Sequence, residues 1–456
     1  MKNLLSKYTF KMAFILGCMT PIATMAQIDH EYYGRPSYWR QYDQRGINIF
    51  ETSKTPDTLK FAGPRVRFGA GFTQQYQNLK SENTATGNQG LNKLYPITPG
   101  FMTAQANLFT DIQLADGIHL NVTTYLSTRH HNEAWVKGGY IQFDKLPFKS
   151  KFFTKLMEVT TIKVGHMEVN YGDAHFRRSD AGQTLYNPFM ESYIMDAYAT
   201  EIGGEVTMQK NGLFGMLAIT NGMIKGNVDS ATKGVVDGII VDNNDNRNPS
   251  VILKGGIDKQ LTENIRVRMS GSFYHNSSNA GSGLTIYGGD RSGSNYQNSM
   301  DKWKDAAGAV QASTAIAFSG RLNPGFTKKI DAVMLNGFLK VGGFEMFGTY
   351  ETAKGRTKTE AIERKASQVA GDLVYRFGTA ENLFIGARYN AVKAQLTGIT
   401  NDVKVDRTAL AGGWFLTQNV LLKGEYVIQK YKDFPASDYR NGGKFKGFVV
   451  EAVIGF

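Results

Sequence analysis

The residues best placed to do chemistry in this sequence lie in the segment 172–200, where charged side chains stand among aromatic ones. The segment shows no nucleophile and base at the spacing of a known catalytic motif, so bond-breaking chemistry is not indicated. Fixed charges of both signs can instead select ions by attraction and repulsion at a narrow opening. The candidates for such a pore constriction are Asp173, His175, Arg177, Arg178, Asp180 and Glu191.

Arg177 and Arg178 allow two interpretations. If the segment turns there, both guanidinium groups can face the opening and attract an anion, each by roughly a few kcal/mol at most. In the other interpretation, they form salt bridges with Asp173, Asp180 or Glu191 and hold the segment in shape. The sequence alone leaves both interpretations open.

Two other polar groups are weaker candidates for ion sites. His130 and His131, with Glu133 and His119 nearby, offer metal ligands, although a solvated outer loop is the simpler interpretation. The acidic stretch 242–246 lacks the Gly and the closing Glu of a calcium-binding loop, so a hydrated loop is favoured there too. We therefore predict no metal, no cofactor and no catalytic residue, and we do not expect an enzyme.

The elements that position these charges are predicted to be two-faced β-strands. In the last stretch, 443–456, apolar residues at every second position form one continuous face. The same period of two recurs from Arg65 onward, in segments of about ten residues separated by turns, as in transmembrane barrels. A final strand that ends in Phe456 is typical of the closing strand of such barrels. The alternative is the edge strand of a soluble β-sandwich.

The alternation of short and long connections predicts the number of strands. Seven short turns and eight long loops give an all-β, transmembrane antiparallel β-barrel of about sixteen strands, with short periplasmic turns and long outer loops. The stretch 311–322 also has a strand-like pattern, but we place it in the fifth loop because closure favours an even number of strands. The turns are expected at 115–116, 146–157, 211–212, 261–263, 342–343, 378–381 and 417–418, and the loops at 80–100, 129–133, 172–200, 223–248, 277–328, 355–365, 397–402 and 432–442.

The chain before the barrel is predicted to have two parts. Three lysines and an apolar run at 12–22, too short to span a bilayer, predict a signal peptide over residues 1–26. Cys18, the only cysteine, completes a loose lipoprotein box, which is the alternative. The remaining chain divides into a periplasmic N-terminal lead-in, 27–63, and the barrel, 64–456, with the third loop inserted into it.

The net charge restricts the classes of partner. The chain has 52 Lys and Arg against 40 Asp and Glu, a formal charge of +12, and removal of the three signal lysines lowers it to +9. A basic surplus suits anionic solutes, nucleic acid or anionic lipid headgroups. Because an exported chain does not meet nucleic acid, we expect outer-membrane lipid and lipopolysaccharide as surroundings and small anions or polar solutes as ligands.

The sequence around the third loop contains four short motifs: KVGH at 163–166, YG at 171–172, RRSD at 177–180 and YNPF at 186–189. In these motifs it resembles the phosphate-selective porins O and P, in the branch found in Bacteroidetes-type bacteria. The resemblance implies a sixteen-stranded barrel that forms a homotrimer, folds its third loop into the lumen and passes small anions. The similarity of architecture covers residues 64–456.

The alternation of faces predicts a lumen of mixed charge rather than a dense ladder of bases. We therefore predict an outer-membrane porin for passive diffusion of small hydrophilic solutes, weakly favouring anions, with phosphate as the implied candidate. The alternative is a structural or assembly-partner barrel of a larger outer-membrane complex, suggested by the lead-in and the long fifth loop. The inward bases are Arg65, Arg67, Lys163, Arg266, Arg268, Arg376, Arg388 and Lys423, and the inward acids include Asp111, Glu345, Glu351, Asp372, Glu425 and Glu451.

Overall fold

A computed structural model of the chain contains a closed ring of sixteen antiparallel strands, which confirms the predicted fold class. The strands are joined by alternating short turns and long loops, at the places that the sequence predicts. The structure describes residues 48–52, 54, 61–86, 91–102, 104–127, 134–221, 234–236, 239–242, 249–277, 286–288, 295–304, 307–310, 319–357 and 359–456.

Each strand pairs with the next one along the chain. The strand β2 consists of two segments, and one extra residue between them forms a bulge against β1. On either side of this bulge, Tyr76 pairs with Phe101 and Thr73 with Gln105. The strands are β1 (Arg65–Glu82), β2 (Gly100–Phe101 and Gln105–Ala115), β3 (Ile118–Ser127), β4 (Ala134–Phe143), β5 (Thr160–Glu168), β6 (Thr200–Lys210), β7 (Leu213–Thr220), β8 (Ser250–Thr262), β9 (Ile265–Asn276), β10 (Lys329–Val341), β11 (Phe344–Arg356), β12 (Arg364–Phe377), β13 (Leu383–Ala394), β14 (Val403–Thr417), β15 (Val420–Lys432) and β16 (Lys444–Gly455).

The last strand closes the ring against the first. β16 pairs with β1 from Gly455 opposite Gly71 to Lys444 opposite Glu82. The backbone groups of Phe456 and Ala70 then exchange two hydrogen bonds of 3.0 Å each. Closure therefore satisfies the edge groups of both strands, which an open sheet would leave unpaired in lipid.

The fifth loop lies between strands that pair directly with each other. β9 and β10 are in register from Ile265 opposite Val341 to Asn276 opposite Ile330, so the wall has no place for a strand from 277–328. The assignment of 311–322 to this loop is confirmed at the level of the wall, although 311–318 themselves lie outside the described residues.

The two faces of the wall differ as the period of two predicts. On β16, Phe448, Val450 and Ile454 face outward with 60%, 52% and 40% of their surface exposed, whereas Glu451 and Val453 between them are buried. Such an apolar outer band is favourable only against hydrocarbon. Within the described residues, no helix is long and apolar enough to cross a membrane.

Short elements lie in the connections. A helix, α1 (Lys151–Met157), forms part of the turn between β4 and β5, and two 3-10 helices, Ala174–Arg177 and Ala181–Tyr186, lie in the third loop. In the fourth loop, Gly234–Val236 pairs with Ile239–Asp242.

The interior of the barrel is packed. Buried apolar residues from the third loop, such as Met190 and Ile194, and from the fifth loop, such as Tyr296 and Phe326, form one cluster with the inner wall. The third loop and the described parts of the fifth loop thus fill much of the space that sixteen strands enclose.

The segments before the barrel are described only in part. The predicted signal peptide, 1–26, lies outside the described residues and stays a prediction. Of the lead-in, residues 48–52, 54 and 61–63 are described. The segment 48–52 contacts the inner wall: Glu51 forms ion pairs with Lys254 and Arg268. The sequence did not indicate that this segment reaches into the barrel.

Candidate functional site

The third loop, 169–199 between β5 and β6, runs through the lumen. Its backbone N–H groups donate hydrogen bonds to inward side chains of strands on the far side of the barrel: Gly172 to Ser272, Ile194 to Asn390 and Met195 to Gln368. These bonds are 2.7–3.0 Å long. The wall thus supplies the polar partners that an irregular segment needs inside a membrane protein.

Glycine at position 172 allows the chain to turn into the lumen. Gly172 has a φ of +69°, a conformation that disfavours side chains, and a Cβ there would overlap the sulfur of Met334. The backbone N–H of the next residue, Asp173, donates a hydrogen bond of 2.9 Å to the side-chain oxygen of Asn336. The loop therefore begins with a fixed direction.

Asp173, a predicted constriction residue, anchors the start of the loop. Its carboxylate accepts two hydrogen bonds of 2.8 Å from Arg268 and one of 2.7 Å from Ser270, and it lies 2.8 Å from the Lys254 ammonium. Burial raises the pKa of this carboxyl, but Lys254 and Arg268 outweigh burial and bring the pKa well below its usual range. Asp173 therefore stays ionised and joins loop to wall.

Arg177 and Arg178 point to different partners, and both are buried. Arg177 lies 3.3 Å from Glu345 on β11 and donates to Asn48 at 3.4 Å. Arg178 binds Asp196 at 3.0 Å and lies 3.4 Å from Asp180. The salt-bridge interpretation thus names one correct partner, Asp180, while Asp196 and Glu345 were not anticipated.

His175 and Asp180 line a cavity inside the barrel, which we call the lumen cavity. His175 contacts Glu168 at 2.7 Å through Nδ1 and Asn170 at 3.0 Å through Nε2. Asp180 accepts a hydrogen bond of 2.9 Å from Asn107 on β2 and pairs with Lys137 on β4. These contacts join the third loop to β2, β4 and β5, on the side of the barrel opposite β9–β15.

Glu191, the last of the predicted constriction residues, lies at the contact between the third and fifth loops. Its carboxylate accepts hydrogen bonds from the backbone N–H groups of Asn295 and Tyr296, at 2.5 and 3.1 Å. Burial raises the pKa of Glu191 to about 7, although Arg407 and Arg321 oppose this increase. Glu191 does not line the lumen cavity.

Six of the eight inward bases that the sequence selected from the wall lie beside a carboxylate in the lumen. Some of these bases also bind the third loop: Lys423 donates hydrogen bonds to the carbonyl oxygens of Asn187 and Phe189, at 3.0 and 2.8 Å. The pairs are Lys163 with Glu205, Arg266 with Asp258, Arg268 with Asp173, Arg376 with Glu345, Arg388 with Asp372 and Lys423 with Glu451.

The lumen cavity, of about 150 Å³, lies between the third loop and the inner faces of β2–β6. Asn121, Thr123 and Tyr140 contribute to the wall side, and Phe176 and Tyr198 to the loop side. Each of its two bases lies beside a carboxylate, Lys137 with Asp180 and Lys163 with Glu205. The cavity is therefore polar, with room for a small hydrated solute.

Lumen bases that the sequence analysis did not select, among them Lys254 and Lys137, were missed for different reasons. Lys254 has no exposed surface on its side chain and lies on the inward face of β8, where the period of two would have located it. Lys137 lies in a bulge of β4, because Val136 pairs with Thr124 but Gly138 with Thr123. A bulge interrupts the alternation of faces, so the pattern could not place Lys137.

Comparison with known proteins identifies the fold. No family model and no curated protein matches the chain. An anion-selective porin from Comamonas acidovorans has a TM-score of 0.50 and 10% identity, covering 86% of this chain and 100% of that one. The channel DcaP of Acinetobacter baumannii has a TM-score of 0.46 and 11% identity, covering 87% of this chain and 99% of that one. The trimer form of Vibrio cholerae OmpT has a TM-score of 0.48 and 10% identity, covering 86% of this chain and 100% of that one.

The shared fold and the apolar outer band assign the chain to the outer membrane, as predicted. The resemblance to the phosphate-selective porins rests on the sequence motif alone and stays a prediction.

Proposed function

We propose that the chain is a passive outer-membrane channel for small hydrophilic solutes, and that solutes pass between the third loop and the inner faces of β2–β6. The cavity of about 150 Å³ at this place is the observation that supports the proposal. A channel of this kind needs a water-filled path with polar walls and no reacting group. The third loop packs against the opposite wall, which includes β12 and β13, so the proposed path runs on the side of β2–β6.

The ion preference of this channel is proposed to be weak and in favour of anions. Lys163 has 25% of its side chain exposed, whereas its partner Glu205 has only 4%, so the lining presents the base more than the acid. Glu168, with 27% exposed, presents a negative charge nearby. Phosphate specificity would require several cations without acidic partners, so the paired lining favours small polar solutes over phosphate.

Ion selectivity of single channels tests this proposal. Purified protein in a planar bilayer under a KCl gradient should pass current, and Lys163→Gln should shift the reversal potential toward potassium. Lys145→Gln is the matched control, because Lys145 lies in an exposed turn and pairs with Asp116. Current that is unaffected by K163Q would contradict the proposed path, and no current from folded protein would contradict the channel itself.

A structural role in a larger outer-membrane complex is the second candidate. The packed lumen supports it, since the third loop, buried residues in the described parts of the fifth loop, and Phe50 of the lead-in all pack inside the barrel. A barrel that serves only as a partner would pass no current and would co-purify with a stoichiometric protein after extraction in mild detergent.

The assembly proposed for the channel is a homotrimer surrounded by outer-membrane lipid and lipopolysaccharide. Native mass spectrometry in mild detergent gives the test. A mass of three chains supports the trimer, and a mass of one chain contradicts it.

A further inference from the structure

Residues 48–52, which precede the barrel in sequence, occupy a place inside its lumen. Phe50 is only 3% exposed and meets Phe176 of the third loop and Phe338 of β10 edge to face, with ring centroids 5.8 and 5.6 Å apart. Asn48 accepts hydrogen bonds from two arginines: its side-chain oxygen from Arg177 at 3.4 Å and its backbone carbonyl oxygen from Arg266 at 2.9 Å. The segment is thus fixed on both sides of Phe50.

Glu51 brings a carboxylate to two buried cations of the wall. It lies 2.9 Å from the Lys254 ammonium and 2.7 Å from the Arg268 guanidinium. Burial raises the pKa of Glu51, but Lys254 and Arg268 outweigh burial and hold the pKa below its usual range. Glu51 is therefore negatively charged whenever the segment is in place.

The charges around Glu51 balance only when it is included. The Arg268 cluster, as we name it, joins three bases, Lys254, Arg266 and Arg268, to three acids. Asp173 and Asp258 are already bound to Arg268, at 2.8 and 3.1 Å, so neither is free to replace a missing third acid. Without Glu51 the cluster carries one net positive charge. Its six members are Lys254, Arg266, Arg268, Glu51, Asp173 and Asp258.

Glu51 is also part of the cavity lining, together with the neighbouring Thr52. A solute in the cavity is therefore within the Debye length of about 8 Å that applies in physiological salt. A charge at this position acts on passing ions, whereas a charge in an exposed outer turn is screened by solvent.

We propose that Glu51 is a specificity-determining residue of the channel: the N-terminal segment carries it into the lumen, where it cancels one positive charge of the Arg268 cluster and keeps the anion preference weak. This role rests on the proposed function. In this proposal the segment 48–52 completes the lining of the lumen cavity at the end of the barrel where short turns join the strands.

Glu51→Gln tests the role, because the amide keeps the shape and removes the charge. E51Q should shift the reversal potential in a KCl gradient toward chloride relative to the wild type. Asp116→Asn removes the same charge from an exposed turn and should leave the potential unchanged. Phe50→Ala keeps the charge but removes the aromatic contacts, so it should release the segment, shift the potential in the same direction as E51Q and increase the conductance.

The outcomes separate this role from the channel itself. A conducting wild type with the same reversal potential as E51Q would overturn the role of Glu51 and leave the channel in place. A wild type that passes no current would overturn both. Hydrogen–deuterium exchange of the peptide that contains residues 48–52 gives an independent readout: we expect slow exchange in the wild type and fast exchange in F50A, and fast exchange in the wild type would also overturn the role.

Discussion

The guanidinium of Arg178 shows how single charges are used in this lumen. It binds Asp196, lies over the ring of Tyr198 at 3.9 Å and is only 1% exposed. Removing one partner of such a buried pair typically costs about 3–5 kcal/mol, since the other charge stays buried and uncompensated. At this position, the residue that the sequence offers for attracting solute instead fixes the shape of the loop.

Gly172→Ala is expected to loosen the start of the third loop. A left-handed backbone costs an L-residue about 1–3 kcal/mol, and here the new methyl would also overlap Met334. The midpoint of thermal unfolding, followed by the heat-dependent mobility of the barrel on gels, should fall, and the open-channel current should become noisier.

Gly215→Ala is the matched control for this substitution, because a Cβ at Gly215 in β7 would meet no atom within 4 Å. The double variant Gly172→Ala with Met334→Ala removes the overlap and should recover part of the lost stability. Equal midpoints for G172A and G215A would show that the turn does not depend on glycine.

At the scale of elements, the strands of the wall could be predicted from the sequence, but the contacts of the segments inside the barrel could not. The period of two and the spacing of turns located every wall strand, because each depends on residues close together in sequence. The partners of the third loop are distant in sequence: Ile194 meets Asn390, 196 residues away. The bulge at Lys137 and the inward path of residues 48–52 left no periodic signal at all.

The contact between the third and fifth loops is expected to weaken as the pH rises. The pKa of Glu191 is about 7 in the folded protein against an ordinary value of 4.5, so the folded state binds an extra proton between these two pH values. Stability from this group is therefore highest at low pH and is lost as the pH rises through this window, by up to about 3 kcal/mol.

Glu191→Gln should remove this pH dependence, because the amide cannot ionise. Unfolding midpoints of the wild type and E191Q, measured from about pH 4.5 to about pH 8, give the comparison. The wild type should lose stability relative to E191Q across the window. Parallel curves for the two proteins would mean that Glu191 keeps its ordinary pKa.

At the scale of the whole molecule, the lumen is filled unequally. Hydrogen bonds and buried apolar residues join the loops to β9–β15, while the cavity of about 150 Å³ lies against β2–β6. A sixteen-stranded barrel encloses far more space than this cavity. The conducting path therefore depends on which side the loops occupy, and a chemical probe on each side can locate it.

Thr123 and Thr349 form a matched pair for this purpose. Thr123 on β3 lines the cavity, whereas Thr349 on β11 is buried and accepts a hydrogen bond from Asn336 at 2.8 Å. In a chain with Cys18 replaced by Ser, a positively charged thiol reagent should reduce the current of Thr123→Cys, since the added group narrows the path and carries a charge into it. The same reagent should leave Thr349→Cys unchanged. Block of T349C with no effect on T123C would place the path on the opposite side, and block of both would mean that the loops do not pack as the contacts with β11 require.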